Sequence, residues 1–392
     1  MKWGSPLPRS PTLTGVFYDD LVVATIVKTK EVLQIQGPDY DVIHTALSAY
    51  ADANLPVSTP KSVGFARGAS SSADTTFTAW GTEVCSPAGS AGAPALKRAL
   101  LMLVGLRVAF GGWASGGFLR KLVGCFVHPF SHRKELSSVW NRLYKYRETM
   151  SEDKIEKLPA DIRDDNLMAS LCLPVAFSHL RWPIDTEVTC SDATPDSEAV
   201  VSCRVSAKLC ESLYDTSVMR GCHVPFGASC RELAEAESEM PVDPLIEEVC
   251  DSMKWNLQTA KTFKNSLHVN LRELNGLCAV TKQASGLSLF PVRRVNGTDS
   301  LVSAGAFAKG RSPSYRLNQI LRRNLGSLVA GQKSQAIFKI DTKHNQADDP
   351  TRMKEIRDPV PPPSWLRDHL IPDSTSTFRR GRFWRWRGGA CR

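Results

Sequence analysis

The chain has 392 residues, enough for two or three domains, and its 42% apolar and 23% charged residues are those of an ordinary globular protein, not a disordered or fibrous one. The net charge of +9 favours a polyanionic partner, although six of those charges (Arg379, Arg380, Arg382, Arg385, Arg387 and Arg392) lie in an acid-free C-terminal tail, leaving the body only mildly basic. Eleven cysteines without a Cys-x-x-Cys pair indicate neither a zinc site nor a disulfide framework and fit reduced, intracellular thiols. No apolar leader opens the sequence, and the most apolar run, 99–110, carries Arg107 and is too short to span a bilayer. A soluble protein of the cytoplasm or nucleus is expected, with no membrane partner.

In the first ninety residues, Asp19 and Asp20 stand together between apolar runs. A hairpin with both carboxylates at its tip would suit Mg²⁺, because hard cations take oxygen ligands; an ordinary Asp-Asp turn is the alternative. From Pro94 to Tyr146 the spacing becomes helical. Leu136, Val139, Trp140, Leu143 and Tyr144 form a stripe behind Ser131, a candidate N-cap, and this stripe reads as core. The basic pairs Lys97-Arg98, Arg120-Lys121 and Arg133-Lys134 lie off it. Polar residues 151–165 read as a linker, and 167–180 as a short helix.

Val188, Cys190 and Asp192 alternate, as do Val201, Cys203 and Val205, which predicts two strands joined by a turn at 194–197. Asp192 ends an apolar strand face, a setting that by itself belongs more often to a turn or cap aspartate. Glu273 follows it by 81 positions, so 206–251 reads as an insertion containing an acidic helical piece at 231–240, and 255–264 as a third strand. Glu273 lies in a helical pattern where Asn270-x-x-Glu273 is also a capping box. Asp299 ends a strand-like run from Phe290, where a helix N-terminus would equally favour an aspartate. Lys309 and Arg311 follow as candidate phosphate contacts. A helix is expected at 314–328 and a last strand at 335–340. Asp348 adjoins Asp349, and chemistry alone does not separate them. Pro-rich 358–364 reads as a stiff extended spacer. The tail interleaves arginines with aromatics, suited to phosphates and bases, or it is a tail without a selected role.

Four motifs in this order resemble the ribonuclease H part of retrotransposon polyproteins. They are the Asp192 hairpin, His268-x-Asn270-x-x-Glu273, Thr298-Asp299-Ser300 with Lys309-Gly-Arg311-Ser312, and Asn345-x-Ala347-Asp348-x-Pro350-x-Arg352. The similarity is greatest to retroelements of the tyrosine-recombinase, DIRS-type kind, and it covers about half the chain. Upstream, Phe17-Tyr18-Asp19-Asp20 resembles the aromatic-x-Asp-Asp motif of the reverse transcriptase palm. Lys61 resembles the lysine motif that follows it, and Trp80-Gly81 the hairpin that positions a primer end. Two departures stand out: the long Asp192–Glu273 spacing, and a turn after Asp192 without glycines, with Glu198 nearby.

The resemblance implies an α/β (α+β) fold: a partial palm at 1–90, a helical thumb or connection at 91–180, and a ribonuclease H-like domain at 181–352. That domain would hold a mixed five-stranded sheet and an insertion near 206–251, followed by a Pro-rich linker and Arg/aromatic tail at 353–392. It also implies two Mg²⁺ ions about 4 Å apart, with Mn²⁺ as a substitute, held by Asp192, Glu273, Asp299 and Asp348. These would hydrolyse the RNA strand of an RNA–DNA hybrid, told from DNA by its 2′-hydroxyls. Asp19 and Asp20 would be metal ligands of the palm, and Lys61, Trp80, Gly81, Lys309 and Arg311 nucleic-acid contacts. No Asp or Glu precedes Asp19, so the polymerase half is expected to be incomplete. The alternatives are a catalytically dead nucleic-acid-binding remnant and part of an RNA-directed DNA polymerase completed by upstream sequence or other retroelement proteins.

Overall fold

The computed structural model describes residues 12–17, 20–25, 38–56, 76–85, 88–218, 242–287 and 290–371. Strands β1 (Thr12–Phe17) and β2 (Asp20–Thr25) pair antiparallel with Phe17 opposite Asp20, and helix α1 (Pro38–Asp52) follows. Strands β3 (Thr76–Ala79), β4 (Thr82–Cys85) and β5 (Ser90–Gly92) begin a small antiparallel sheet. Its fourth strand, β8 (Phe177–His179), arrives only after the helical region, pairing with β5. The helical segment is therefore closed on itself by a sheet that periodicity does not foretell.

Between β5 and β8 lie α2 (Ala95–Gly111), β6 (Trp113–Ala114), α3 (Gly116–Ser131), a 3₁₀ stretch at Lys134–Trp140, α4 (Asn141–Tyr146), β7 (Glu156–Lys157) and α5 (Ala160–Cys172). Four members of the expected stripe are core: Leu136, Val139, Trp140 and Leu143 are buried around Phe126 and Phe130, with the Phe130 and Trp140 rings 4.6 Å apart, whereas Tyr144 is exposed, its ring covered by the Arg147 guanidinium. Ser131, however, ends α3 instead of capping a new helix, and its hydroxyl donates to the His128 carbonyl at 2.7 Å. The stripe is then wound as 3₁₀ before α4. Residues 151–165 are not a linker. Lys157 pairs with Trp113, and Asp165 is fully buried on α5. The polar composition that suggests a linker belongs to a charge satisfied by distant partners.

Strands β9 (Ile184–Ala193), β10 (Ser197–Arg204), β11 (Asn256–Thr262), β12 (Val292–Thr298) and β13 (Lys333–Lys339) form a mixed five-stranded sheet in the order β11-β10-β9-β12-β13. β9, β10 and β11 are antiparallel neighbours, while β12 runs parallel to both β9 and β13. Parallel neighbours require crossovers: α8 (Val269–Leu287) leads into β12, and α9 (Leu301–Lys309) and α10 (Tyr315–Ala330) join β12 to β13, whereas α6 (Ala207–Asp215) and α7 (Pro244–Ser252) come between the antiparallel β10 and β11. Val188, Cys190, Val201 and Phe338 pack against Leu209 and Leu213 of α6 and Val249 of α7. On the other face, Ile337 packs with Leu274 of α8, Phe307 of α9 and Leu317 of α10. The domain is a sheet covered by helices on both sides, as strands buried on both faces require.

The helical region is fastened to α10. Asp165 accepts from Arg142 Nη2 at 3.0 Å and Arg322 Nη1 at 2.6 Å, and Asn318 Nδ2 donates to the Ser138 carbonyl at 2.7 Å. Leu325 joins the helical core itself. After β13 come a short 3₁₀ turn (Thr342–His344), α11 (Asp348–Thr351) and α12 (Ser364–Arg367). The Pro-rich stretch between them is extended but anchored, since Leu366 is fully buried and Val205 bridges to Leu370. Among the described residues no helix is long and apolar enough to cross a membrane.

Candidate active site

The two central strands place two of the carboxylates side by side. β9 and β12 run parallel with Cys190 opposite Gly297, so Asp192 near the end of β9 and Asp299 just past β12 emerge at the same edge. A side chain at Gly297 would collide with Cys190 Sγ and Phe338. Asp192 is buried and accepts a hydrogen bond from Thr351 Oγ1 at 2.7 Å. Asp299 accepts from Asn345 Nδ2 at 3.2 Å. It is not the cap of α9: Ser300 is, its hydroxyl accepting from the Ser303 N–H at 3.2 Å.

Glu273 comes from the first turns of α8. That helix begins at Val269, so His268 occupies the cap position and Asn270 lies inside the helix. The capping-box geometry is therefore not the one formed. Asp348 opens α11, where Arg352 contacts Asp348 Oδ1 through Nε and Nη2, both at 2.8 Å. Its neighbour Asp349 is instead gripped by Arg357, with Nε at 2.8 Å and Nη2 at 3.2 Å. The tertiary structure thus separates two aspartates that sequence chemistry leaves equivalent.

The carboxylates sense one another. Burial pushes Asp192 up to about 6, the charges of Asp299 and Asp348 add to this, and the Thr351 hydroxyl opposes it. Burial pushes Glu273 up to about 8; Ser300 opposes the rise, while Asp299 and Asp192 increase it. Asp299 is raised by burial first and by Asp348 as well, against hydrogen bonds from Thr342 and Asn345. Desolvation leads in all three, with like-charge repulsion the smaller contribution.

The chemistry of the set fits a hard divalent cation, being all oxygen and carrying more negative charge than its surroundings offset. Glu273 Oε2 is buried and no donor reaches it with hydrogen-bond geometry, although the Ser300 and Ser303 hydroxyls lie close to the carboxylate. An orphaned carboxylate oxygen is costly unless something binds it. Among the described residues, no three His, Cys, Asp or Glu side chains are gathered closely enough to ligate one ion. The four carboxylates share a field without forming a closed shell.

The remaining expected residues are elsewhere. Asp19 and Lys61 lie outside the described residues, and Asp20 begins β2. Trp80 and Gly81 are the two-residue loop joining β3 to β4, with φ of 50° and 72°, as a type I′ hairpin turn requires at both positions. Trp80 is 46% exposed. Lys309 is the last residue of α9 and Arg311 lies 5.8 Å from the centre of the Tyr144 ring. The nine residues of α9 span about 13 Å, so Lys309 and Arg311 sit at the opposite end of the helix from Asp299. Gly310 between them has a φ of 64° and approaches the Lys134 backbone too closely for any side chain. The residue that sequence reasoning does not single out is Thr351, at an unspecified position of the motif around Asp348; Asn345 is part of that motif but carries no expected role.

No family model matches the chain, and no curated protein matches it. Among solved structures it is similar to a foamy viral protease-reverse transcriptase in complex with an RNA/DNA hybrid, at 12% identity and a TM-score of 0.34, over 86% of this chain and 58% of that one. A foamy viral protease-reverse transcriptase "dRH" in complex with double-stranded DNA is similar at 12% identity and a TM-score of 0.34, over 84% of this chain and 46% of that one. The chain therefore spans about half the length of these proteins. A likeness this shallow assigns no activity to the site.

Proposed function

We propose that residues 181–352 are a ribonuclease H-like domain that hydrolyses the RNA strand of an RNA–DNA hybrid in a Mg²⁺-dependent reaction, within a reverse transcriptase fragment of a DIRS-like retroelement. The single observation that carries this reading is that the parallel pairing of β9 and β12 brings Asp192 and Asp299 out at one sheet edge, where Thr351, in the short helix that Asp348 opens, donates to Asp192. Structural aspartates have no reason to converge, because neighbouring like charges cost stability unless a ligand offsets them. Asp192, Glu273, Asp299 and Asp348 would hold two magnesium ions, which when bound supply charge stabilisation and an activated water. The protein's own part is to hold the carboxylates in a partly dry cleft, where burial favours their protonated forms until a cation offsets the charge, and to aim them, through Thr351 on Asp192 and Asn345 on Asp299. The deciding experiment is cleavage of a labelled RNA–DNA hybrid by the purified chain with and without Mg²⁺. Cleavage that disappears with EDTA and with Asp192→Asn supports the reading; no cleavage in either metal condition overturns it.

A second reading, a nucleic-acid-binding remnant without catalysis, is favoured by one observation: Arg352 already pairs with Asp348, offsetting charge that a metal would otherwise offset. Hybrid binding that survives Asp348→Asn, with no cleavage by the wild type, would select it. Asp19, Asp20 and Lys61 with the Trp80–Gly81 hairpin would belong to a polymerase palm completed by further sequence; templated primer extension tests that role.

A further inference from the structure

The insertion between Asp192 and Glu273 ends in α7, and α7 reaches the loop that carries Asp348. Asp251, near the end of α7, faces His344 Nδ1 at 2.6 Å, while Glu247, one turn earlier, lies 3.5 Å from His344 Nε2. A carboxylate only accepts, so the ring nitrogen that bonds Asp251 must carry the proton of that contact. His344 closes the 3₁₀ turn immediately before Asn345.

Asn345 is the link inward. It is fully buried and donates to Asp299 Oδ1 and to the Ser191 carbonyl, each at 3.2 Å, while its side-chain oxygen accepts from the Ala347 N–H at 3.1 Å. Asp348 is the next residue. On the outer side, Arg357 Nη1 donates to the Lys343 carbonyl at 2.6 Å, and the Val360 N–H donates to the Asp251 carbonyl at 2.8 Å. An open cleft of about 450 Å³, lined by Glu247, Glu248, Asp251, His344, Val360 and Pro361 among others, borders this contact. The loop is therefore held here by directional hydrogen bonds more than by packing.

We propose that the contact between α7 and His344 is a positioning device for the carboxylate site: Asp251, through His344, sets where Asn345 and Asp348 stand and so how tightly the site takes Mg²⁺. The inference rests on the reading of the four carboxylates as a magnesium site. It gives the insertion a role, that of an outer brace for the loop that closes the site. Asp251 and His344 are positioning residues and touch no substrate.

The test is Mg²⁺ binding to the full chain by isothermal titration calorimetry without nucleic acid, alongside the Mg²⁺ concentration that half-activates hybrid cleavage. His344→Ala is expected to weaken Mg²⁺ binding roughly tenfold, the scale on which residues behind metal ligands act. His344→Asn, whose Nδ2 can donate where Nδ1–H did, restores most of the affinity, and Asp251→Asn, which keeps an acceptor, stays close to the wild type. If His344→Ala does not fold, Asp251→Ala measured against Asp251→Asn makes the same comparison. A purely structural role would lower Tm and the folded fraction but leave affinity per folded molecule unchanged, and that result overturns the proposal. Wild-type Mg²⁺ binding with unaltered affinity in His344→Ala sinks this inference alone. Absence of any Mg²⁺ response in the wild type sinks the magnesium reading, and the inference with it.

Discussion

Thr351 Oγ1 donates to Asp192 Oδ2 at 2.7 Å across 159 positions of sequence, tying the last short helix of the domain to its central strand. The same hydroxyl is 2.8 Å from the Asp348 carbonyl, and Ser197 Oγ donates to the Thr351 carbonyl at 2.8 Å. Asp192 is thus held in place by the element that carries Asp348.

Asp192→Asn keeps an oxygen that accepts the Thr351 proton but removes a buried charge. Mg²⁺-dependent hybrid cleavage should fall by at least about a hundredfold, the scale of losing one preorganised electrostatic contact. Thermal unfolding without metal at pH 8 should be unchanged or shifted upward. A variant that unfolds instead would assign Asp192 a structural role.

The raised carboxylates set a sign for pH. Each binds its proton more tightly folded than unfolded, so their contribution to stability is fullest below the unfolded values and is lost as pH rises through the folded ones. For Asp192, raised from 3.8 to about 6, and Glu273, raised from 4.5 to about 8, the window runs from about pH 4 to 8. At about 1.4 kcal/mol per unit, the Asp192 shift alone costs on the order of 3 kcal/mol above that window. Urea midpoints without metal should fall from pH 5 to pH 8, and Asp192→Asn with Glu273→Gln should flatten the slope. A flat wild-type profile would mean that the carboxylates are not desolvated in solution.

Asp165→Ala tests the joint between the helical region and α10. It removes the buried carboxylate that accepts from Arg142, Arg322 and the Arg142 and Leu143 N–H groups, leaving the two guanidinium groups only their longer contacts, to Asp161 and to the Val139 carbonyl, each at 3.4 Å. Removing one partner from such a network costs roughly 3 kcal/mol or more. Hydrogen exchange should speed up first in α10 and α4, and uniform exchange across the chain would show the two regions unfolding as one.

Gly310→Ala should be severe for so small a change. The residue sits at a φ of 64° and its backbone lies against the Lys134 carbonyl. Strain at such a position costs about 1–3 kcal/mol, and the clash with Lys134 adds to it. A Tm equal to the wild type would show that the 3₁₀ stretch at Lys134–Trp140 yields easily.

What the sequence alone determined is local. The alternation at Val188–Asp192 and Val201–Val205, the 194–197 turn, the helix holding Glu273 and the strands before Asp299 and Asp348 were all legible, because periods of two and 3.6 residues are written in neighbouring side chains. The choice of Asp192, Glu273, Asp299 and Asp348 came from motif order in the resemblance and not from periodicity. Only the tertiary structure decided the rest. Asp349 is gripped by Arg357, Asp165 is buried because Arg142 and Arg322 meet it from different elements, and Lys309 and Arg311 fall at the far end of α9. It also set the joint placement of Thr351 and Asn345 on Asp192 and Asp299, contacts that join positions 159 and 46 residues apart. Such pairings depend on which strand lies beside which, and that choice is made by burial of the whole sheet, to which no short window of sequence has access.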